Sequence, residues 1–291
     1  MAHKGKPIMS TIDKRLGLTF HRTFPLKRSS VSKVITIIRS QSNENEKNIS
    51  KSLFRELSSL GTVQVASMPR YAFGSGLIDD QYKLTVFGEM AVSHDPLLDQ
   101  LGTQWLIHYH LSSPHGPGPA YWHELVATRF RPGDEFTQSE IIEQLNDFIK
   151  RTEGQELSSR SLEGSASAFL NTYSQNEGLG KLGLLEKVDT GRYLALQPDY
   201  PSPWVLGYAL LDYWQAQYGE RMAIPLESLY GERSLGGIFL IGPGRINTLL
   251  RELQEEGMVE VQRFVPPYEV MLLHREVTAM LEKLYGSVEA N

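Results

Sequence analysis

The chain has 291 residues, enough for one large domain or two to three small ones, with 41% hydrophobic residues and no cysteine. The missing cysteines exclude disulfides, thiolate nucleophiles and Cys-ligated zinc or iron–sulfur centres, and no apolar run approaches the roughly 18 residues of a membrane helix. The net charge of −5 is uneven, because residues 1–40 hold nine Lys or Arg against one acid, a net of +8, and the rest of the chain carries −13.

Residues 1–19 read as a basic arm. They lack the continuous apolar core and the cleavage site of a secretory leader, so a cytoplasmic protein is expected. The arm is either part of a polyanion footprint on an acidic body or a solubilising tail. Val31, Val34, Ile35 and Ile38 then fall at helical spacing, with Ser29 or Ser30 as N-cap. A polar loop, SNENEKN, leads to a second helix from Ser50 to Leu60, with Leu53, Phe54, Leu57 and Leu60 on one face and Gly61 at its end. A third short helix is expected around Ser67–Phe73. A hairpin should follow, in which Leu77 and Ile78 face Leu84 and Val86 across a polar turn, Asp79–Lys83. Three helices and a hairpin are the order of a winged helix, whose third helix enters a major groove. A three-helix packing unit without DNA contact has the same pattern.

Asp95-Pro96 can open a helix with Leu97, Leu98, Leu101, Trp105 and Leu106 as its buried stripe. Thr137 and Glu140 form a Thr-x-x-Glu capping box before IIEQLNDFIKR. Polar residues 152–165 read as a linker. A helix over Ala166–Gln175 and two strands across a turn at Asp189–Gly191 follow. After Tyr200-Pro-Ser-Pro come an apolar helix (Trp204–Tyr218), a short strand and helix in MAIPLESLY, a helix in GPGRINTLLRELQEEG, and a hairpin around Val265-Pro266-Pro267. The expected fold is therefore mainly α with small β-hairpins (α+β). The boundaries are a basic arm (1–19), a winged-helix-like DNA-binding module (20–94), a helical middle domain (95–151), a linker (152–165), a C-terminal α+β region with a second winged-helix-like module (166–285) and a tail (286–291).

Catalytic signatures are sparse. His108, His110, His115 and His123 lack the spacing of a metal-ligand set. Asp79, Asp80, Glu89, Asp95, Asp99 and Glu124 could supply carboxylates for a divalent ion but form no nuclease pattern. The Gly-rich pieces at 74–76, 178–183 and 236–244 have neither P-loop nor dinucleotide-binding context. Arg245 and Arg251 lie on the third helix of the C-terminal module and Arg263 in its hairpin, but Glu252, Glu255 and Glu256 share that helix. That module suits a protein partner as well as DNA.

Several stretches together resemble one family. They are FHRTFPLKRSSVSKV at 20–34, YAFGSGLI at 71–78, KLTVFGEMAVSHDPLLDQLGTQWLIHYHL at 83–111, FLNTY at 169–173 and YPSPWVLGYALLDYW at 200–214. The family is the SspB-like one, whose namesake is the DNA-nicking component of the Ssp DNA phosphorothioation defence system. The stretch at 52–69 departs from the Gly/Lys-rich pattern of that family. The resemblance implies nicking of double-stranded DNA beside sulfur-transfer and ATPase components, with Mg²⁺ or Mn²⁺ as the metal a nuclease would use and a second copy of the chain as a further partner. Inside the matched stretches, His21, Arg22, Lys27, Arg28 and Lys33 are expected on DNA, with Arg70 next to them and Arg245 and Arg251 in the second module. Asp95, Gln104 and His108 are the candidate catalytic set. Gln104 and His108, four residues apart on one helix face, read equally as core hydrogen-bonding groups. A non-catalytic winged-helix adaptor or transcriptional regulator is the rival expectation.

Overall fold

The computed structural model describes residues 15–42, 51–154, 156–263 and 265–286. Most of the basic arm, including Lys4, Lys6 and Lys14, lies outside them, as do the loop at 43–50, the Leu53 side chain and the tail from 287.

The N-terminal third is helical: α1 (Arg28–Ser42), α2 (Lys51–Ser58), α3 (Thr62–Gly74) and α4 (Val86–His94). Helix α1 packs against the other three through Val31, Val34, Ile35 and Ile38, the positions that helical spacing selects. It begins at Arg28, ahead of the expected serine caps. Gly61 is not the end of α2; it is the N-cap residue of α3, and Ser59 takes the left-handed position instead (φ 53°). Leu57 is exposed on the outer side of α2.

The first hairpin does not form as expected. The turn closes, with Asp79 Oδ1 accepting from the Gln81 and Lys83 backbone N–H groups, but pairing stops at a single bridge between Ile78 and Leu84. Thr85 then caps a helix by accepting from Gly88 N, so VFGEMAVSH is α4 rather than a wing strand. Close packing favours this outcome: a Cβ on Gly88 would lie 1.9 Å from the Leu77 carbonyl oxygen. Asp95-Pro96 likewise ends α4 instead of opening a helix. The next helix, α5 (Leu101–Ser112), starts five residues later, which leaves Leu97 at 63% exposure.

Helix α5 is buried on every side from Thr103 to Ser112, as expected of a helix apolar all round. It packs on α6 (Ala120–Arg129) and α9 (Pro203–Tyr218). The capping box at Thr137 and Glu140 forms at the start of α7 (Gln138–Glu153). Helix α8 (Ser159–Ser174) begins inside the segment expected as a linker, capped by Ser158. Strands β2 (Leu185–Asp189) and β3 (Arg192–Ala195) pair across Gly191 as expected. A third strand that no pattern announced, β1 (Glu135–Thr137), joins them in the order β1-β3-β2.

The C-terminal region follows its expected order closely. Helix α9 leads to β4 (Ala223–Pro225), a short 3₁₀ turn, α10 (Leu235–Ile238), α11 (Pro243–Glu255), the hairpin β5 (Val259–Gln262) and β6 (Glu269–Leu272), and α12 (Val277–Gly286). The three strands form an antiparallel sheet in the order β4-β6-β5. One buried apolar cluster runs from Leu16 to Tyr285. No helix among the described residues is long and apolar enough to cross a membrane.

Gly88→Ala should destabilise the protein by about 1–3 kcal/mol through overpacking, read as a lower urea midpoint. An unchanged midpoint would show that α4 does not depend on its close approach to Leu77.

Candidate nucleic-acid interface

The segment before α1 is an irregular loop fastened to the body at several points. Arg15 donates to the carbonyls of Gly118 (2.8 Å) and Pro114 (3.0 Å). Phe20 packs edge-on against Tyr71 at 4.8 Å, and Tyr71 Oη donates to Phe24 O at 2.9 Å. Between these anchors the chain turns sharply, and Arg22 (φ 50°) and Thr23 (φ 69°) both occupy the left-handed region. Each such non-glycine residue costs on the order of 1–3 kcal/mol, and such strain persists only where surrounding contacts over-determine it.

His21 supplies much of that constraint. Its Nδ1 accepts from Thr23 N (2.9 Å), which places the ring proton on Nε2, 3.0 Å from Ser165 Oγ on α8. Burial pushes His21 from 6.5 down to about 4, so the ring is a neutral clamp. Gly164 gives the turn room, since a Cβ there would meet Thr23 Cγ2 at 3.1 Å.

The turn forms one wall of a cleft of about 410 Å³, lined by Thr19, His21, Arg22, Thr23, Arg70, Arg160 and Ser161. Arg70 comes from α3, and Arg160 and Ser161 from the first turn of α8. Among the described residues no carboxylate pairs with Arg22, Arg70 or Arg160, although Glu163 lies exposed one turn further along α8. These three guanidinium groups, without a carboxylate partner among the described residues, line one concavity, and the α8 N-terminus adds positive potential.

The expected DNA contacts therefore divide. Arg22 and Arg70 line the cleft with His21 beneath them. Lys33 is exposed on α1, and Lys27 pairs with Glu177 at 2.8 Å. Arg28 is corrected outright. It is buried, and its N–H groups go to Gly178 O (2.7 Å), Leu98 O (3.0 Å), Asn176 O (2.5 Å) and the Asp99 carboxylate. With four of its five N–H donors committed inside the protein and the side chain buried, this guanidinium is not presented to a phosphate. Arg245 sits over the Tyr200 ring at 4.8 Å, and Arg251 is exposed on the same helix. Arg263 donates to Asn247 Oδ1 at 2.8 Å. The sequence reading missed Arg160, because the polar stretch around it looked like a linker. Its one signal was Ser158, a helix cap two residues earlier.

The candidate catalytic set is also relocated. Asp95 is buried, and its carboxylate accepts from Asp99 N and Gln100 N, both at 2.9 Å, thereby fixing the α4–α5 corner. Gln104 is buried and donates to Asp99 O at 3.0 Å, leaving Oε1 without a partner. His108 Nε2 donates to Ile238 O (2.7 Å), and Nδ1 accepts from Tyr173 Oη (2.8 Å), which also receives Trp122 Nε1–H (2.8 Å). Burial holds His108 at about 4. Each of the three serves a contact inside the protein, and none is open to a strand at the surface. Among the described residues no three Asp, Glu or His groups converge to hold a metal ion.

A family model described as a protein of unknown function, DUF4007, matches residues 19–275. No curated protein matches the chain. Two solved structures share the fold. A magnesium ion-bound SspB crystal structure is 16% identical over 94% of this chain and 89% of that one, with a TM-score of 0.74. A second SspB crystal structure is 17% identical over the same shares, with a TM-score of 0.73.

Two outcomes follow from the burial of these groups. His21 and His108 are neutral in the fold, whereas in the unfolded chain they charge as pH falls through about 6.5. Stability is thus fully present above that pH and declines as it falls toward 4. Their ring resonances should stay those of neutral imidazole down to pH 5, and titration near 6.5 would contradict the burial. Arg28→Met should lower stability by about 3 kcal/mol by orphaning its acceptors, whereas Arg22→Gln should stay within about 0.5 kcal/mol of the parent. Equal effects in urea denaturation would refute the division between buried and cleft arginines.

Proposed function

We propose that this chain, which belongs to the DUF4007 family, is a DNA-binding protein of a DNA phosphorothioation system that nicks double-stranded DNA beside the sulfur-transfer and ATPase components. The observation carrying the reading is the cleft lined by Arg22, Arg70 and Arg160 on a fold shared with SspB over 94% of the chain. A net charge of −5 would repel DNA as a whole. Binding needs a local site where cations are not already neutralised, and Arg22, Arg70 and Arg160, which pair with no carboxylate among the described residues, supply one.

The C-terminal region adds a winged-helix-like module. In it α11 would face a groove, presenting Arg251 and the Arg245 edge, with Arg263 on the β5–β6 wing. The basic arm would extend the phosphate contacts. Nicking adds water attack on one phosphodiester: a new P–O bond forms from water, the ester P–O bond breaks, and one end leaves as a hydroxyl while the other keeps a phosphate monoester.

A second reading is a non-catalytic winged-helix adaptor or regulator. It is favoured by the absence, among the described residues, of converging carboxylates and by the interior position of His108. Supercoiled plasmid incubated with the purified protein in Mg²⁺, Mn²⁺ or EDTA distinguishes the two. Metal-dependent open circles support nicking, and a gel shift with unchanged supercoils supports the adaptor.

DNA binding itself predicts a salt slope. Replacing Arg22, Arg70 and Arg160 together by Gln should flatten the log affinity–log salt slope by about 2–3, since each phosphate contact contributes roughly 0.9. Removing residues 1–14 should flatten it further without touching Arg28. An unchanged slope in the triple variant would remove the cleft from the footprint.

A further inference from the structure

We infer that the Arg22–Arg70–Arg160 cleft is a receptor for a phosphate monoester, the terminal phosphate of a nucleic-acid strand. The inference rests on the DNA reading and specifies which part of the strand this site takes.

Charge is the first argument. A monoester carries close to two negative charges at neutral pH, whereas an internal phosphodiester carries one. The cleft offers three guanidinium groups without a carboxylate partner among the described residues, together with the first turn of α8. A dianion matches that concentration of charge better than one diester does. Guanidinium groups also bind through two parallel N–H donors, and a monoester exposes three terminal oxygens to receive them.

Shape is the second argument. The phosphates of an intact duplex lie along convex ridges and are met by exposed side chains on a flat or ridged surface. This site is a concavity of about 410 Å³ between a turn and two helices. A strand end can enter it without bending, whereas an internal phosphate would have to bring its neighbours with it.

Preorganisation is the third. The left-handed pair Arg22 and Thr23 is already formed in the free protein. It is held by the His21 hydrogen bonds to Thr23 N and Ser165 Oγ. The cost of shaping the turn is met within the fold, so the anion need not order it on arrival. His21 is buried with both ring nitrogens engaged, so it acts as a positioning residue behind the arginines and not as an anion ligand.

A monoester end is also what hydrolysis of one strand leaves behind. A protein that holds it would keep a nick open for a following enzyme that acts on the broken backbone.

The test uses the full chain and fluorescence anisotropy at fixed salt. Four duplexes of one sequence are compared: intact, nicked with a 5′-phosphate, nicked with a 3′-phosphate, and nicked with hydroxyls on both sides. Inorganic phosphate and a free mononucleotide serve as competitors. One phosphorylated nick should bind about tenfold more tightly than the hydroxyl nick. Millimolar inorganic phosphate should erase that increment. Arg22→Gln, Arg70→Gln and Arg160→Gln, each checked for an unchanged melting temperature, should each erase most of it. Arg251→Gln should weaken all four duplexes equally and preserve the increment. Equal affinity for phosphorylated and hydroxyl nicks, with the intact duplex still bound, would overturn the inference and leave the DNA reading standing. No affinity for any duplex would overturn both. In that case saturable binding of phosphate or mononucleotide, lost in the arginine variants, would identify the source as a free small molecule.

Discussion

A guanidinium taken into a protein interior must find an acceptor for the donors it brings, or the cost of stripping its water is never recovered. Arg28 meets that condition with three backbone carbonyls and one carboxylate, drawn from the α4–α5 corner at Leu98 and Asp99 and from the end of α8 at Asn176 and Gly178. The start of α1 is thereby tied to two segments remote from it in sequence. The loop immediately before α1 inherits its place from that tie, and the arginine cleft is built on that loop. One cation buried for structure thus helps to place another, Arg22, which stands exposed on that loop.

The interior on the other side of α5 depends on a similar closure. His108 joins Ile238 to Tyr173, and Tyr173 also receives the Trp122 indole. Helices α5, α6 and α8 and the short α10 meet through one imidazole and one phenol. A neutral ring with one donor and one acceptor suits this place, because a charged ring would have two donors and would lose the Tyr173 proton as a partner. His108, one of the three candidate catalytic residues in the sequence, thus has its basicity suppressed by burial, as His21 does.

Legibility of the sequence follows the range of the deciding interaction. Elements governed by contacts within one turn were readable: the Thr137–Glu140 capping box, the Pro243-to-Gly257 helix and the β2–β3 hairpin across Gly191. Elements decided by distant neighbours were not. Leu84 and Val86 have strand character, yet Thr85 caps a helix there because Gly88 lies against the Leu77 carbonyl. Strand β1 exists only because β3 arrives from nearly sixty residues away to pair with it. The same limit applies to charge. Lys27, Arg28 and Arg22 look alike in a basic stretch, and only the fold tells which is paired, which is buried and which is exposed in a cleft.

That distinction alters how the uneven charge of the chain should be read. A basic segment on an acidic body suggests a continuous footprint in which each cation contributes alike. Here the segment is sorted instead. Arg15 and Arg28 are spent on carbonyls, Lys27 on Glu177, and Arg39 on Glu89. The cleft adds Arg70 and Arg160, which lie outside the segment altogether. The electrostatics that matter come from convergence in space of three cations separated by up to 138 positions in the chain. Such convergence is a stronger pointer to an anion than a run of positive charge, because a run can repel itself apart in solvent. The backbone of the turn, α3 and α8 sets three guanidinium groups around one concavity, and that placement concentrates positive potential there.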